Sequence, residues 1–259
     1  MPVQLSWDLH VHPGPSSVPR WGTGAEIQAA ARRAGLSGFV WKSHDVHTAR
    51  ACRELVGPPW AIGSASLNAW ASPDDIAKAV DEGARWVWGP THSHGQVSWD
   101  LPLPTAWPAI ADMLRAAGRP LVLGTGHLGI EGRRAMVELA ASSPHLRCSV
   151  THSLYLRPQE IAELRDLGCL FEVDLYTATH AITGRPAIDL AAGLAALRDQ
   201  GAMVYLTTDA GQRDVGDPYL FSAATLALLA ATIDADVLHE VAVTNPDLVA
   251  AHVKGAFVQ

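Results

Sequence analysis

Trp7-Asp8-Leu9-His10-Val11-His12-Pro13-Gly14 sets two imidazoles two residues apart at the end of a short apolar run. Successive side chains of a strand leave on opposite faces, so a strand here puts both imidazoles on one face. The same period sends Ser6 and Asp8 to that face and Leu5, Trp7, Leu9 and Val11 to the other. Imidazole is the commonest metal ligand in proteins and an acid or base near neutral pH. The chain holds twelve histidines. His10, His12, His44, His47, His92, His94, His127 and His152 fall at or just beyond the C-terminal ends of runs that read as strands. His180 lies in the loop after the seventh such run, and only His145, His239 and His252 lie elsewhere. One histidine so placed is as often a hydrogen-bonded structural residue as a ligand. The recurrence at strand after strand calls for a shared site.

The elements that must carry these residues alternate regularly. After the first strand, apolar runs predict strands over 37–42, 60–67, 85–88, 120–125, 146–151, 169–175 and 202–208. Between them lie helical runs over 25–34, one ending near Gly57, then 72–83, 105–117, 131–141, 157–168 and 186–200, most of them stopped by a glycine. Helices over 219–232, 236–243 and 246–252 follow. Helical crossovers imply parallel strands. Eight such units in 259 residues predict an α/β fold: a single (β/α)8 TIM barrel over 1–259 with extra C-terminal helices. An open doubly wound sheet is the alternative, but Gly22-Thr23-Gly24 follows a loop and not a strand, which makes a poor dinucleotide fingerprint. In a barrel the C-terminal strand ends meet on one face, where active sites lie. Loops 13–24 and 96–104 are long enough to cover or line a pocket there.

Parity along the strands narrows the candidates. Lys42 goes with His44, opposite Phe39 and Trp41; Glu172 goes with Asp174, opposite Phe171, Val173 and Leu175; Asp209 goes with Thr207 and Tyr205, opposite Val204 and Leu206. The apolar sets suit packing under helices, which points the polar sets into the barrel. Barrel interiors are ordinarily filled by branched apolar side chains, so Asp8, Lys42 and Glu172 need either a metal or one another, Lys42 with Glu172 as a buried ion pair. Trp21, Trp41, Trp70, Trp88 and Trp99 lie at or after strand ends, where they either pack in the core or wall a pocket for a planar or cyclic small molecule.

Composition removes other classes. Hydrophobic residues are 48% and charged residues 17%, as in a compact globular protein. A net charge of −7 without a basic block argues against nucleic acid. No apolar run reaches membrane-spanning length, and no secretory leader is read at the N-terminus, so no membrane association and a cytoplasmic location are expected. Cys52, Cys148 and Cys169 lack Cys-x-x-Cys spacing, which suits a reducing compartment. A small-molecule substrate is the expected partner, with homo-oligomer formation left open.

His10-x-His12 on strand one, His127 after strand five, His152 after strand six and Asp209 after strand eight form a pattern that resembles the amidohydrolase superfamily. Val243-Thr244-Asn245-Pro246 before a late helix is similar to that superfamily's C-terminal region. The resemblance implies a distorted barrel and a metal-dependent hydrolase that activates water against an amide, cyclic amide, amidine or ester. It implies His10, His12, His127, His152 and Asp209 as metal-site residues, with Asp209 as general base and a catalytic part for His152. Zinc is expected first, iron(II) or manganese(II) next, as one or two ions. Binuclear members carry a carboxylated lysine or a glutamate at the end of strand four, where this chain reads Trp88-Gly89-Pro90-Thr91-His92-Ser93-His94. Lys42, His44, His92 and His94 are the candidates for an additional ligand or bridge, and His152, His92 and His94 those for polarising the bond under attack. Asp8 could orient a ligand imidazole, Glu172 and Asp174 are further inner carboxylates, and Arg20, Arg157 and Arg213 could hold an anionic substrate. Asp8-Leu9-His10-Val11-His12 with Ser43-His44-Asp45 also resembles the polymerase-and-histidinol-phosphatase family of phosphoesterases. Against it, Ser64, Ser66 and Asn68 stand where that family has an acidic ligand, and Ala210-Gly211 follows Asp209 where it has Asp-x-His. A metal-dependent decarboxylase on the same ligands is a third reading, told apart by release of carbon dioxide.

Overall fold

A computed structural model of the chain describes residues 3–93, 96–180 and 187–254. The parallel strands are β1 (Trp7–Val11), β2 (Gly38–Trp41), β3 (Trp60–Ile62 continuing as Ser64–Ser66), β4 (Trp86–Trp88), β5 (Leu121–Gly124), β6 (Leu146–Val150), β7 (Leu170–Asp174) and β8 (Met203–Thr207). β1 pairs with β2 and β2 with the first part of β3; from the second part of β3 each strand pairs with the next through to β8. The break in β3 is Gly63, where a Cβ would lie 2.4 Å from Ala49 Cα, so the missing side chain admits the backbone of the helix Ala49–Glu54. Outward residues of the strands, such as Val87, Leu123, Val150, Phe171 and Leu206, pack with helix residues such as Ile76, Ile110, Met136 and Ile161. No helix among the described residues is long and apolar enough to cross a membrane.

The barrel is the distorted kind. β8 reaches β1 only at its tip, where Asp209 N donates to His10 O and His12 N to Ala210 O, both at 2.8 Å. Near its start, β1 turns to the C-terminal helices instead. Ser6 N donates to Ala242 O at 3.0 Å, Ser6 Oγ to Val243 O at 3.0 Å, and Asn245 Nδ2 to Val204 O at 2.7 Å. The sequence predicts separate helices with a break near Thr244-Asn245-Pro246. The chain instead runs from Ala235–His239 through a π-turn, Glu240–Thr244, into Asn245–Lys254. Pro246 has no N–H for the carbonyl of Ala242 four residues back, and the Ser6 amide takes that acceptor.

Inside the barrel, Trp7, Leu9, Val40, Ile62, Trp86, Trp88, Val122, Leu170 and Tyr205 form one cluster, joined by Val249, Ala250 and Val253 of the last helix. Two glycines make room for this tryptophan-rich filling: a Cβ on Gly38 would lie 2.2 Å from the Trp7 ring and one on Gly124 2.3 Å from the Trp88 ring. The position of Trp7 and Leu9 corrects the strict alternation predicted for β1. The register on β2 slips between Asp8 and Val11, the signature of a bulge. The bulge lets Leu9 and His10 both serve the interior, while Asp8 turns to β8 and accepts from Thr207 Oγ1 at 2.7 Å, Thr208 Oγ1 at 2.7 Å and Thr208 N at 3.0 Å. Two segments predicted as loops carry structure: a short helix, Leu175–Thr179, follows β7, and His92–Ser93 pairs with Gln96–Val97 as an antiparallel ribbon. The predicted helix start at Pro186 lies outside the described residues.

Candidate metal centre

Strand ends deliver the ligand-type side chains to one mouth of the barrel. His10 and His12 come from the end of β1, His127 and His152 from just past β5 and β6, and Asp209 from two residues past β8; all five are buried. His152 and Asp209 hold positive φ, 54° and 49°. That region costs a non-glycine residue about 1 kcal/mol or more and is typical of side chains held for function. The turn at Asp209 is completed by Gly211 at φ 115°, where a Cβ would lie 2.3 Å from His12 O.

His10 Nε2, His12 Nε2 and Asp209 Oδ1 lie 3.0 to 3.2 Å from one another. His10 Nδ1 donates to Glu172 Oε1 at 2.7 Å, so the neutral ring turns a lone pair towards the other two atoms. Glu172 Oε2 in turn accepts from the Tyr205 hydroxyl at 3.0 Å. The pattern repeats beside it. His152 Nδ1 donates to Asp174 Oδ2 at 2.8 Å, His127 Nδ1 donates to Ser98 O at 2.9 Å, and their two Nε2 atoms face each other at 3.1 Å. The His10 and His152 ring centroids are 5.8 Å apart, so both pairs flank one locus, and a second buried group of His152, Glu172 and Asp174 adjoins it.

Burial and then the Lys42 charge hold the His10 imidazolium well below its usual range; burial and then Arg20 do so for His12, burial and then His152 for His127. Burial and then Asp174 push Asp209 well above the usual carboxylate range, and burial pushes Glu172 up to about 7. Burial also works upwards on Asp174, but His152 and the hydrogen bonds from Thr177 outweigh it and the pKa falls. His10 turns a lone pair inward, and His12, whose Nδ1 has no partner among the described residues, can either donate Nε2–H to Asp209 or offer that nitrogen to an ion. Nitrogen and oxygen donors in this arrangement fit zinc, iron(II) or manganese(II).

Lys42 is buried, with its ammonium 4.6 Å from the Trp88 ring centroid, and burial lowers its pKa to about 8. The predicted ion pair with Glu172 does not form: among the described residues no carboxylate oxygen lies within 4.0 Å of the Lys42 ammonium, and Glu172 accepts instead from His10 and Tyr205. His44 Nδ1 lies 2.7 Å from Thr91 Oγ1, at the strand-four end; its ring stacks on His12 at 4.6 Å and meets His92 at 4.3 Å. Among the described residues neither His44 nor His92 joins a three-donor group. His94 lies outside the described residues. Asp8 touches no ligand imidazole side chain; its partners on β8 brace the strand that ends in Asp209. Of the five tryptophans, Trp88 lies 4.7 Å from His10 and Trp99 stacks flat on His127 at 4.1 Å, whereas Trp21 and Trp41 pack outside the barrel and Trp70 is exposed.

Above the ligand group is a cavity of about 180 Å³, lined by His12, Lys42, His44, His127, His152 and Asp209 together with Val18, Arg20, Val97, Tyr176 and Gln212. Arg20 thus reaches the site. Arg157 does not: its guanidinium pairs with Glu160 on the surface, and Arg213 is exposed outside the cavity. Val18, Val97, Tyr176 and Gln212 have no counterpart among the sequence candidates. Tyr176 and Gln212 stand two and three residues past Asp174 and Asp209, but their types carry no signal of their own.

Residues 6–172 match the model of a family of unknown function, DUF6282. A search among curated proteins finds no match. The fold is shared with several solved structures. One is an amidohydrolase from Pseudomonas aeruginosa, 12% identical over 97% of this chain and 97% of that one, with a TM-score of 0.58. Another is the ochratoxinase of A. niger, 12% identical over 95% of this chain and 71% of that one, TM-score 0.61. A third is a probable 2-pyrone-4,6-dicarboxylic acid hydrolase from Acinetobacter baumannii, with citric acid bound, 10% identical over 95% of this chain and 99% of that one, TM-score 0.62.

Proposed function

The chain belongs to the DUF6282 family, and on the geometry of its site we propose that it is a metal-dependent hydrolase of a C–N or ester bond in a small molecule. The observation that carries this is the convergence of His10 Nε2, His12 Nε2 and Asp209 Oδ1. These three would hold the ion, zinc first and iron(II) or manganese(II) next, with His127 and His152 offering the Nε2 atoms for completing its shell or for a second ion. A bound ion of this kind supplies a Lewis acid and brings the pKa of water towards about 7.

The chain's own residues do the rest. Asp209 takes the proton of the attacking water and passes it to the leaving nitrogen or oxygen. Glu172 and Asp174 fix the tautomer and direction of His10 and His152 through Nδ1, and loss of such partners typically costs 10- to 100-fold in metal affinity. Where it is not a ligand, His152 at the cavity wall would, as the imidazolium, donate Nε2–H to the oxygen that gains charge. The names of the structural neighbours, an amidohydrolase, an ochratoxinase and a dicarboxylic acid hydrolase, support hydrolysis.

The test is metal content per chain, by inductively coupled plasma mass spectrometry, for the wild type and a His10→Ala/His12→Ala variant, with a panel of amides, lactams, lactones and esters. One or two equivalents of metal in the wild type, lost in the variant together with hydrolysis, are expected. A wild type that neither contains nor takes up metal would sink the proposal. Carbon dioxide released in place of hydrolysis would move the reaction to a lyase.

A further inference from the structure

We infer that the substrate is a small carboxylate whose acid group is held by Arg20, an inference that rests on the metal-site reading above. Arg20 comes from the loop after β1 and lines the cavity next to the ligand group, close enough for its charge to act on His12 and Asp209. A backbone bridge to Gln212 fixes its place beside the Asp209 turn. Among the described residues, no carboxylate lies within 4.0 Å of its guanidinium, and its Nε is buried without a hydrogen-bond partner. A buried guanidinium N–H without an acceptor is costly, and an acceptor brought into the cavity that Arg20 lines would relieve that cost. A guanidinium presents a flat fork that matches a carboxylate with two parallel hydrogen bonds.

The lining of the cavity points the same way: it carries two cations, Arg20 and Lys42, against a single carboxylate, Asp209. Lys42, likewise without a carboxylate within 4.0 Å among the described residues, lines the same cavity. The cavity of about 180 Å³ is smaller than the ~300–1,000 Å³ of pockets for drug-sized ligands, so the acid is a compact one. Val18 and Val97 give it apolar walls and Tyr176 an aromatic one.

The experiment is isothermal titration of metal-loaded protein with benzoate, with benzamide and with inorganic phosphate, repeated on Arg20→Gln and Arg20→Lys. Metal content and circular dichroism are checked on each sample. Benzoate is expected to bind and benzamide and phosphate to bind more weakly. Arg20→Gln should lose roughly 10- to 100-fold in benzoate affinity at unchanged metal content, and Arg20→Lys, which keeps the charge without the fork, should lose less. Equal affinity for benzoate and benzamide, tighter binding of phosphate, or an Arg20→Gln variant that binds benzoate like the wild type would each overturn the inference while leaving the metal site standing. Failure of the metal reading shows separately, as wild-type protein without metal.

Discussion

Asp8 is fully buried, and burial pushes its pKa up to about 6 although Thr207 and Thr208 donate three hydrogen bonds to it. The folded state therefore holds this proton more tightly than the unfolded chain, whose carboxyl titrates at 3.8. Between those values the native protein binds more protons, so the contribution of Asp8 to stability is present below pH ~4 and lost as pH rises through 6. The shift, about 2.2 pH units at ~1.36 kcal/mol each, corresponds to about 3 kcal/mol. The measurable quantity is the stability of the wild type minus that of Asp8→Asn in urea, on chelator-treated protein. It should fall by about 2.4 kcal/mol from pH 4 to pH 7, the unfolded carboxyl being already more than half ionised at pH 4, and a flat difference would mean that folding leaves the Asp8 pKa unshifted. At this scale the recurrence of histidines at strand ends was legible as one shared mouth of the barrel, where His10, His12 and Asp209 now lie together with His127 and His152 beside them; strand parity failed on β1, where the bulge takes Leu9 inward. The three loop arginines could not be ranked, because nothing in the sequence distinguishes Arg20, held by its bridge to Gln212, from Arg157, captured by Glu160 at the head of its own helix.

The strands and helices were legible because each helix stop and strand end carries its own punctuation. What escaped depends on contacts between distant segments. The bulge in β1 exists because Leu9 is taken into the tryptophan cluster while β8 engages Asp8, and no local pattern in Trp7–Val11 records either partner. The π-turn is another case: Pro246 signals a helix break only as long as no outside amide replaces the missing donor, and Ser6, 240 residues away in sequence, supplies it. The β8-to-helix turn is where element geometry and ligand placement meet. Gly211→Ala would set a methyl 2.3 Å from His12 O at a φ that disfavours any side chain. Its expected effect is a loss of about 1–3 kcal/mol in stability together with weaker metal retention against a chelator. Destabilisation with metal retention unchanged would show that His12 is positioned independently of this turn.

Across the molecule the two ends of the barrel have different tasks. The ligand group occupies the C-terminal mouth. The other mouth is filled from beneath by Val249, Ala250 and Val253, with His252 Nε2 bonded to His145 O, just before β6. Val249→Ala removes two methyl groups from this closure and should cost about 2 kcal/mol, read as a lower urea midpoint, with metal content unchanged. A matching loss of metal would mean that the closure reaches the site through the intervening Trp7, Leu9 and Trp88 layer.

Trp99 lies flat on His127, with ring planes 8° apart, while Trp88 faces His10 on one side and the Lys42 ammonium on another. The indoles that quench or brighten with charge in the site are thus built into its walls. Intrinsic emission, with Trp99→Phe and Trp88→Phe subtracted in turn from the signal of all nine tryptophans, becomes an optical gauge of occupancy. It needs no substrate and no added dye, and the two indoles report on the two histidine pairs separately.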